Sequence, residues 1–133
     1  MNKTLVISML PAGILVCLAL IGVVRTMPVV AQDVAVAAPR SNKILVDNAA
    51  VRVVEGTIEP GAREAVHTHP AGWYYVTSAG TLRVDFADGR HETWSPKAGE
   101  SGWMEAEGPH ASQNIGKTTL VWTLVEAKGV ATR

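Results

Sequence analysis

From Lys43 to Glu126 the chain is a succession of short runs of alternating character, each closed by a turn signal, and no helical period is sustained. Ile44-Leu45-Val46 opens the series. Val51 to Ile58 alternates and is turned by Glu59-Pro60-Gly61. Ala65 to His69 and Trp73 to Thr77 follow, the latter closed by Ser78-Ala79-Gly80. Leu82, Val84 and Phe86 share one face against Arg83 and Asp85, and Asp88-Gly89 is a hairpin turn into His91 to Ser95. The stretch around Trp103, then His110 to Asn114 and Thr119 to Glu126, complete the set. About nine short strands at eight-to-twelve-residue spacing predict an all-β chain folded as a sandwich or small barrel.

The first thirty residues are of a different kind. Asn2 and Lys3 form a polar, positive start, Leu5 to Val24 carries no charge, and Arg25 precedes the small-residue stretch Val29-Val30-Ala31. This is the layout of a secretory signal peptide over residues 1–31, with cleavage after Ala31 and an exported, periplasmic or secreted, product. Twenty apolar residues also suffice for an uncleaved membrane anchor, which is the competing reading. Residues 32–42 mix Ala, Val, Pro, Arg and Ser without a period and read as a linker or unstructured arm. The folded domain is then expected over residues 43–128.

Charge narrows the function classes. Without residues 1–31, 10 basic residues remain against 12 acidic ones, with no basic run. That argues against binding nucleic acid by electrostatics. Cys17, the one cysteine, lies in the leader, so a transition-metal site in the rest of the chain must use imidazole and carboxylate.

His67 and His69 are one residue apart on a predicted strand, so their imidazoles point to the same side. Alone, such a pair is weak evidence for a ligand role. Its setting adds to it: Gly61, five residues, His67, one residue, His69, and Gly80 eleven further on resembles the first motif of the cupin superfamily. Pro96, Gly99, His110 and Asn114 resemble the second motif, and His110-Ala111-Ser112-Gln113-Asn114-Ile115-Gly116 is similar to its ending in many small single-domain cupins. The resemblance implies a single double-stranded β-helix barrel, jelly-roll-like in form. It also implies that His67, His69 and His110 converge on a divalent metal ion (iron, manganese, nickel or zinc) inside it.

The resemblance fails at one position. The family's fourth ligand is a glutamate, whose place falls on Trp73 or Tyr74, and counting back from Gly80 selects Trp73. An indole offers only an N–H donor and cannot coordinate a metal. Three neutral imidazoles would leave a divalent ion its full charge, which favours an anionic small molecule as ligand. The family's commonest enzyme chemistries are of oxygenase or isomerase type. The alternative is a non-catalytic binding or structural barrel with a degenerate site. Glu105 and Glu107 are candidate substitute ligands, although glutamates in a Gly-flanked loop are ordinarily solvated.

By alternation Trp73, Tyr75 and Thr77 share a face, and placing Trp73 in the ligand position puts that face inside the barrel. Tyr75 would then offer a hydroxyl to a substrate, or the two rings would simply fill the core. Trp94, Trp103 and Trp122 are expected in the core or at a dimer face. Leu120, Trp122 and Leu124 oppose Val121, Thr123 and Val125, a strand apolar on both faces, as in a dimer or a two-layer sandwich; a homodimer formed through strand edges and the Trp122 strand is expected. His91 is expected to be an exposed hairpin residue.

Overall fold

The computed structural model describes residues 32–129. The signal peptide expected over 1–31 lies outside the described residues, and no helix among them is long and apolar enough to cross a membrane.

The alternating runs become strands β1 (Gln32–Asp33), β2 (Asn42–Asp47), β3 (Val51–Ile58), β4 (His67–His69), β5 (Gly72–Ser78), β6 (Leu82–Phe86), β7 (His91–Trp94), β8 (Ser101–Met104), β9 (Glu107–Asn114) and β10 (Leu120–Ala127). They form two five-stranded sheets, in the orders β1-β4-β9-β6-β7 and β2-β3-β10-β5-β8. The chain passes repeatedly from one sheet to the other, as in a double-stranded β-helix. Gly89 takes a φ of 89° in the β6–β7 hairpin, a conformation open to glycine at little cost.

β10 lies at the centre of the second sheet, antiparallel to β3 along its whole length and to β5 with one bulge at Val121/Trp122. Its burial alternates strictly, so Leu120, Trp122, Leu124 and Glu126 enter the interior. Ile58, Val76 and Leu82 meet them there to form the core, with Tyr74, Val84, Trp94 and Met104 packed around it. Each fully buried aliphatic side chain contributes about 1.5–3 kcal/mol relative to exposure. The β3–β4 connection is zipped to β9: Gly61 N–H donates to Asn114 O at 2.8 Å and Glu64 N–H to Ser112 O at 2.8 Å. Buried Asn114 secures the far end, its Nδ2 donating to Ile58 O and Thr118 O while Oδ1 accepts from Gly116 N–H.

Residues 32–42 are not the linker that their composition suggests. β1 pairs in parallel with β4, placing Gln32 opposite His67. One helical turn, α1 (Val34–Ala37), follows, capped by the Asp33 carboxylate on Ala35 N–H. Val34 is fully buried and Ala38 nearly so, and that burial holds the arm against the sheet.

Candidate metal centre

His67 and His69 are successive inward residues of β4, and His110 of β9 stands directly opposite His67 in the antiparallel register. All three rings are buried, and one nitrogen of each lies within 4.8 Å of the others. Ring centroids are separated by 4.9 Å (His67–His69), 4.4 Å (His67–His110) and 5.5 Å (His69–His110).

The outward nitrogens show why the rings are turned this way. Nδ1 of His67 is 2.7 Å from Ala65 O and Nδ1 of His110 is 2.9 Å from Gly108 O. A carbonyl can only accept, so each Nδ1 carries the proton and each Nε2 keeps a free lone pair. Burial holds His67 down at about 4 and also lowers His110, which keeps both imidazoles neutral at physiological pH. Nε2 of His67 and Nε2 of His69 are 3.2 Å apart. Two nitrogens each about 2.1 Å from one tetrahedral ion lie roughly 3.4 Å apart, so this spacing suits ligands of a common metal. The donor set therefore fits a divalent transition metal.

Carboxylates surround the group. Glu107 Oε2 lies 3.4 Å from His110 Nε2, which makes Glu107, unlike Glu105, the acid within reach of a ligand ring. Glu64 is almost wholly buried, with Oε2 4.0 Å from His67 Nε2 and its other oxygen accepting from Asn42 Nδ2. Burial raises its pKa against the opposing pull of that hydrogen bond. Glu126 approaches His69 from the Nδ1 side at 3.9 Å. Sequence reasoning missed Glu64 and Glu126. The alternation of β10 carries the signal for Glu126, which is in phase with Trp122.

Trp73 is not where the motif count places it. It is 43% exposed on the outer face of β5 and stacks on Tyr75, centroids 6.2 Å apart. The inward residues of β5 are Gly72, Tyr74 and Val76, so Tyr74, not the Trp73 that counting back from Gly80 selects, is the interior one of the two. Tyr75 is correspondingly outside and faces no substrate site. The alternation was read correctly, but its phase was inverted. Trp122 and Trp94 are inside, centroids 5.8 Å apart, and Trp122 packs edge-on against His69. Trp103 is outside, and His91 is exposed as expected.

Beside the histidines opens a cavity of about 360 Å³, walled by His69, His110, Glu64, Tyr74, Phe86 and Trp94. It falls within the size range of small-molecule sites.

The two-sheet architecture matches solved structures at low sequence identity. A cupin domain from Bordetella pertussis Tohama I superposes with a TM-score of 0.60 at 24% identity, over 66% of this chain and 92% of that one. An RmlC-like cupin family protein with a double-stranded β-helix fold from Methanocaldococcus jannaschii gives 0.52 at 17%, over 65% and 77%. This chain has the cupin fold. A protein with a double-stranded β-helix domain from Klebsiella pneumoniae subsp. pneumoniae MGH 78578 shares this two-sheet architecture, with a TM-score of 0.53 at 24% identity over 68% and 78%. Among curated proteins, the oxalate decarboxylase OxdC of Bacillus subtilis (strain 168) is 35% identical over 69 residues, 50% of this chain. The chain spans 18% of the decarboxylase's length. No family model matches the chain.

Proposed function

We propose that this chain is an exported metal-binding cupin that holds a divalent ion on His67, His69 and His110 and takes a small anionic molecule in the adjoining cavity. The observation that carries the reading is the convergence of three buried imidazoles whose Nδ1 atoms, in His67 and His110, are occupied by backbone carbonyls. A bound ion would supply Lewis acidity to a ligand oxygen. The chain's own contribution is to present neutral donors, exclude water with Trp94, Trp122 and Phe86, and leave one side of the group open to the cavity. Export is supported by the apolar leader and its small-residue end.

The similarity to a decarboxylase of oxalate, itself a small carboxylate, supports an anionic ligand. Glu92, Glu105 and Glu107 also line the cavity, and their charge opposes an anion there, so in this reading the ligand carries a single charged end held at the ion and is uncharged elsewhere. The enzyme reading, of oxygenase or isomerase type, needs an open position beside the ion, which the cavity supplies. The non-catalytic barrel is favoured by one observation: among the described residues no carboxylate joins the three-histidine group.

Metal analysis of the protein purified without added metal tests the proposal. Near-stoichiometric iron, manganese, nickel or zinc is expected in the parent and a large loss in His67→Ala. Equal, low metal in both would overturn it.

A further inference from the structure

Glu126 is 2% exposed, and its two oxygens have different surroundings. Oε2 accepts from Nε of Arg52, whose Nη2 donates in turn to Asp33 of the N-terminal arm. Oε1 has no hydrogen-bond partner, nor does Nδ1 of His69, 3.9 Å away. These are a carboxylate acceptor and a ring nitrogen that donates when it carries the proton. Both are buried, both are unsatisfied, and each is within a small side-chain adjustment of the other. Native interiors rarely leave such groups unpaired.

The rest of the site indicates what the pair does. His67 and His110 each direct Nδ1 outward onto an acceptor and Nε2 toward the shared centre. His69 has no carbonyl in that place. It has Glu126. Were Glu126 only the ion-pair partner of Arg52, Oε2 alone would serve, and nothing would explain a bare Oε1 aimed at a bare imidazole nitrogen.

We propose that Glu126 is a positioning residue for His69: it accepts the Nδ1 proton and so keeps Nε2 as the free donor. Arg52 and Asp33 hold the carboxylate in register. This rests on the metal-site reading above and extends it, because it makes the arm at residues 32–38 part of the support of the centre. An outer partner of this kind orients the ring and raises the basicity of the ligating nitrogen.

The test is Glu126→Gln, which keeps the side chain's shape and removes its charge, read in two ways. In the metal-free parent His67 Nε2, 3.2 Å from His69 Nε2, competes for the His69 proton; nitrogen-15 NMR is expected to show that the charged carboxylate prevails and His69 is the Nδ1–H tautomer, and the variant a mixed population. Zinc affinity is expected to fall roughly ten- to a hundredfold in the variant. A parent His69 protonated on Nε2 would overturn the proposal, as would a variant with unchanged tautomer and unchanged affinity. His67→Ala serves as the control for the metal reading. If it binds zinc as the parent does, that reading falls, while the tautomer measurement, made without metal, still decides the role of Glu126. If Glu126→Gln does not fold, the tautomer of the parent decides it.

Discussion

The indole of Trp122 lies so close over Gly56 that a Cβ at residue 56 would come within 2.6 Å of Trp122 Cδ1. Gly56 and Trp122 are direct partners across β3 and β10, and the indole also meets the His69 ring, centroids 5.6 Å apart. A methyl group here must displace the indole that packs on His69. Gly56→Ala is therefore expected to destabilise the fold by about 1–3 kcal/mol, as overpacking does. It should also weaken metal binding, although residue 56 touches no proposed ligand. Urea unfolding together with zinc titration checks both effects, and a variant as stable as the parent would contradict the packing argument.

Alanine at His67, His69 or His110 is expected to lower metal affinity at least tenfold to a hundredfold, since losing a direct donor should cost no less than losing an outer partner. His91→Ala should leave metal content unchanged, because His91 is exposed in the β6–β7 hairpin. Metal content after dialysis against a weak chelator distinguishes the four variants.

The outward position of Trp73 reverses what the motif count implies for a carboxylate at that residue. Trp73→Glu is expected to leave zinc affinity unchanged, because the new side chain enters solvent. Tyr74→Glu is expected to change it, because residue 74 lines the cavity beside His69. Zinc titration of both variants is the check, and tighter binding in Trp73→Glu would place that residue inside after all.

The metal-free protein should lose stability in mild acid. Burial holds His67 at about 4 against 6.5 in the open chain, and His110 is lowered in the same sense. Between those values the unfolded chain takes up protons that the folded one refuses. Stability is thus full above about pH 6.5 and declines toward pH 4, by up to about 1.4 kcal/mol per pH unit for each such group. Urea midpoints should fall across that window, and less steeply in His67→Ala once its lower starting stability is taken into account. A flat profile in the parent would show that His67 is free to charge.

A homodimer is the expected solution state, and the outer face of the second sheet is where it would form. Val46, Val53, Val125, Trp73 and Trp103 stand directly opposed across all five strands. Trp73 and Trp103 are 43% and 54% exposed in the single chain. The Trp122 side chain faces inward, so the strand takes part through its other face. Light scattering at micromolar concentration should give twice the chain mass, and Trp73→Asp should shift it toward the monomer with metal content intact. A monomeric parent would rule the dimer out.

Much of the fold was legible because strand alternation and turn residues are local signals. Nine of the ten strands fall on runs that alternate or are bounded by Gly, Pro or Asp-Gly. The facing of His67 and His69 followed from a two-residue period, but the approach of His110 came only through the resemblance, since cross-sheet register leaves no local mark. Trp73 shows the limit of counting: a one-residue difference in phase turns a side chain from core to solvent. Glu64, Glu126 and Arg52 were illegible for another reason. Charged residues are ordinarily solvated, and only partners distant in sequence, Arg52 with Glu126 and Asn42 with Glu64, make their burial tolerable. The arm was missed because two strand residues and a single helical turn are too short to show a period.

That arm has a consequence for the protein's behaviour at high concentration. Without β1, the outward side of β4 would expose the unpaired N–H and C=O groups of the short strand that carries two of the three histidines, and such a row is a template for pairing with another molecule. Gln32 and Asp33 occupy that row within the same chain. A form lacking Gln32 and Asp33 would keep every histidine and still be prone to self-association, so two residues that ligate nothing would govern how the protein keeps in concentrated solution.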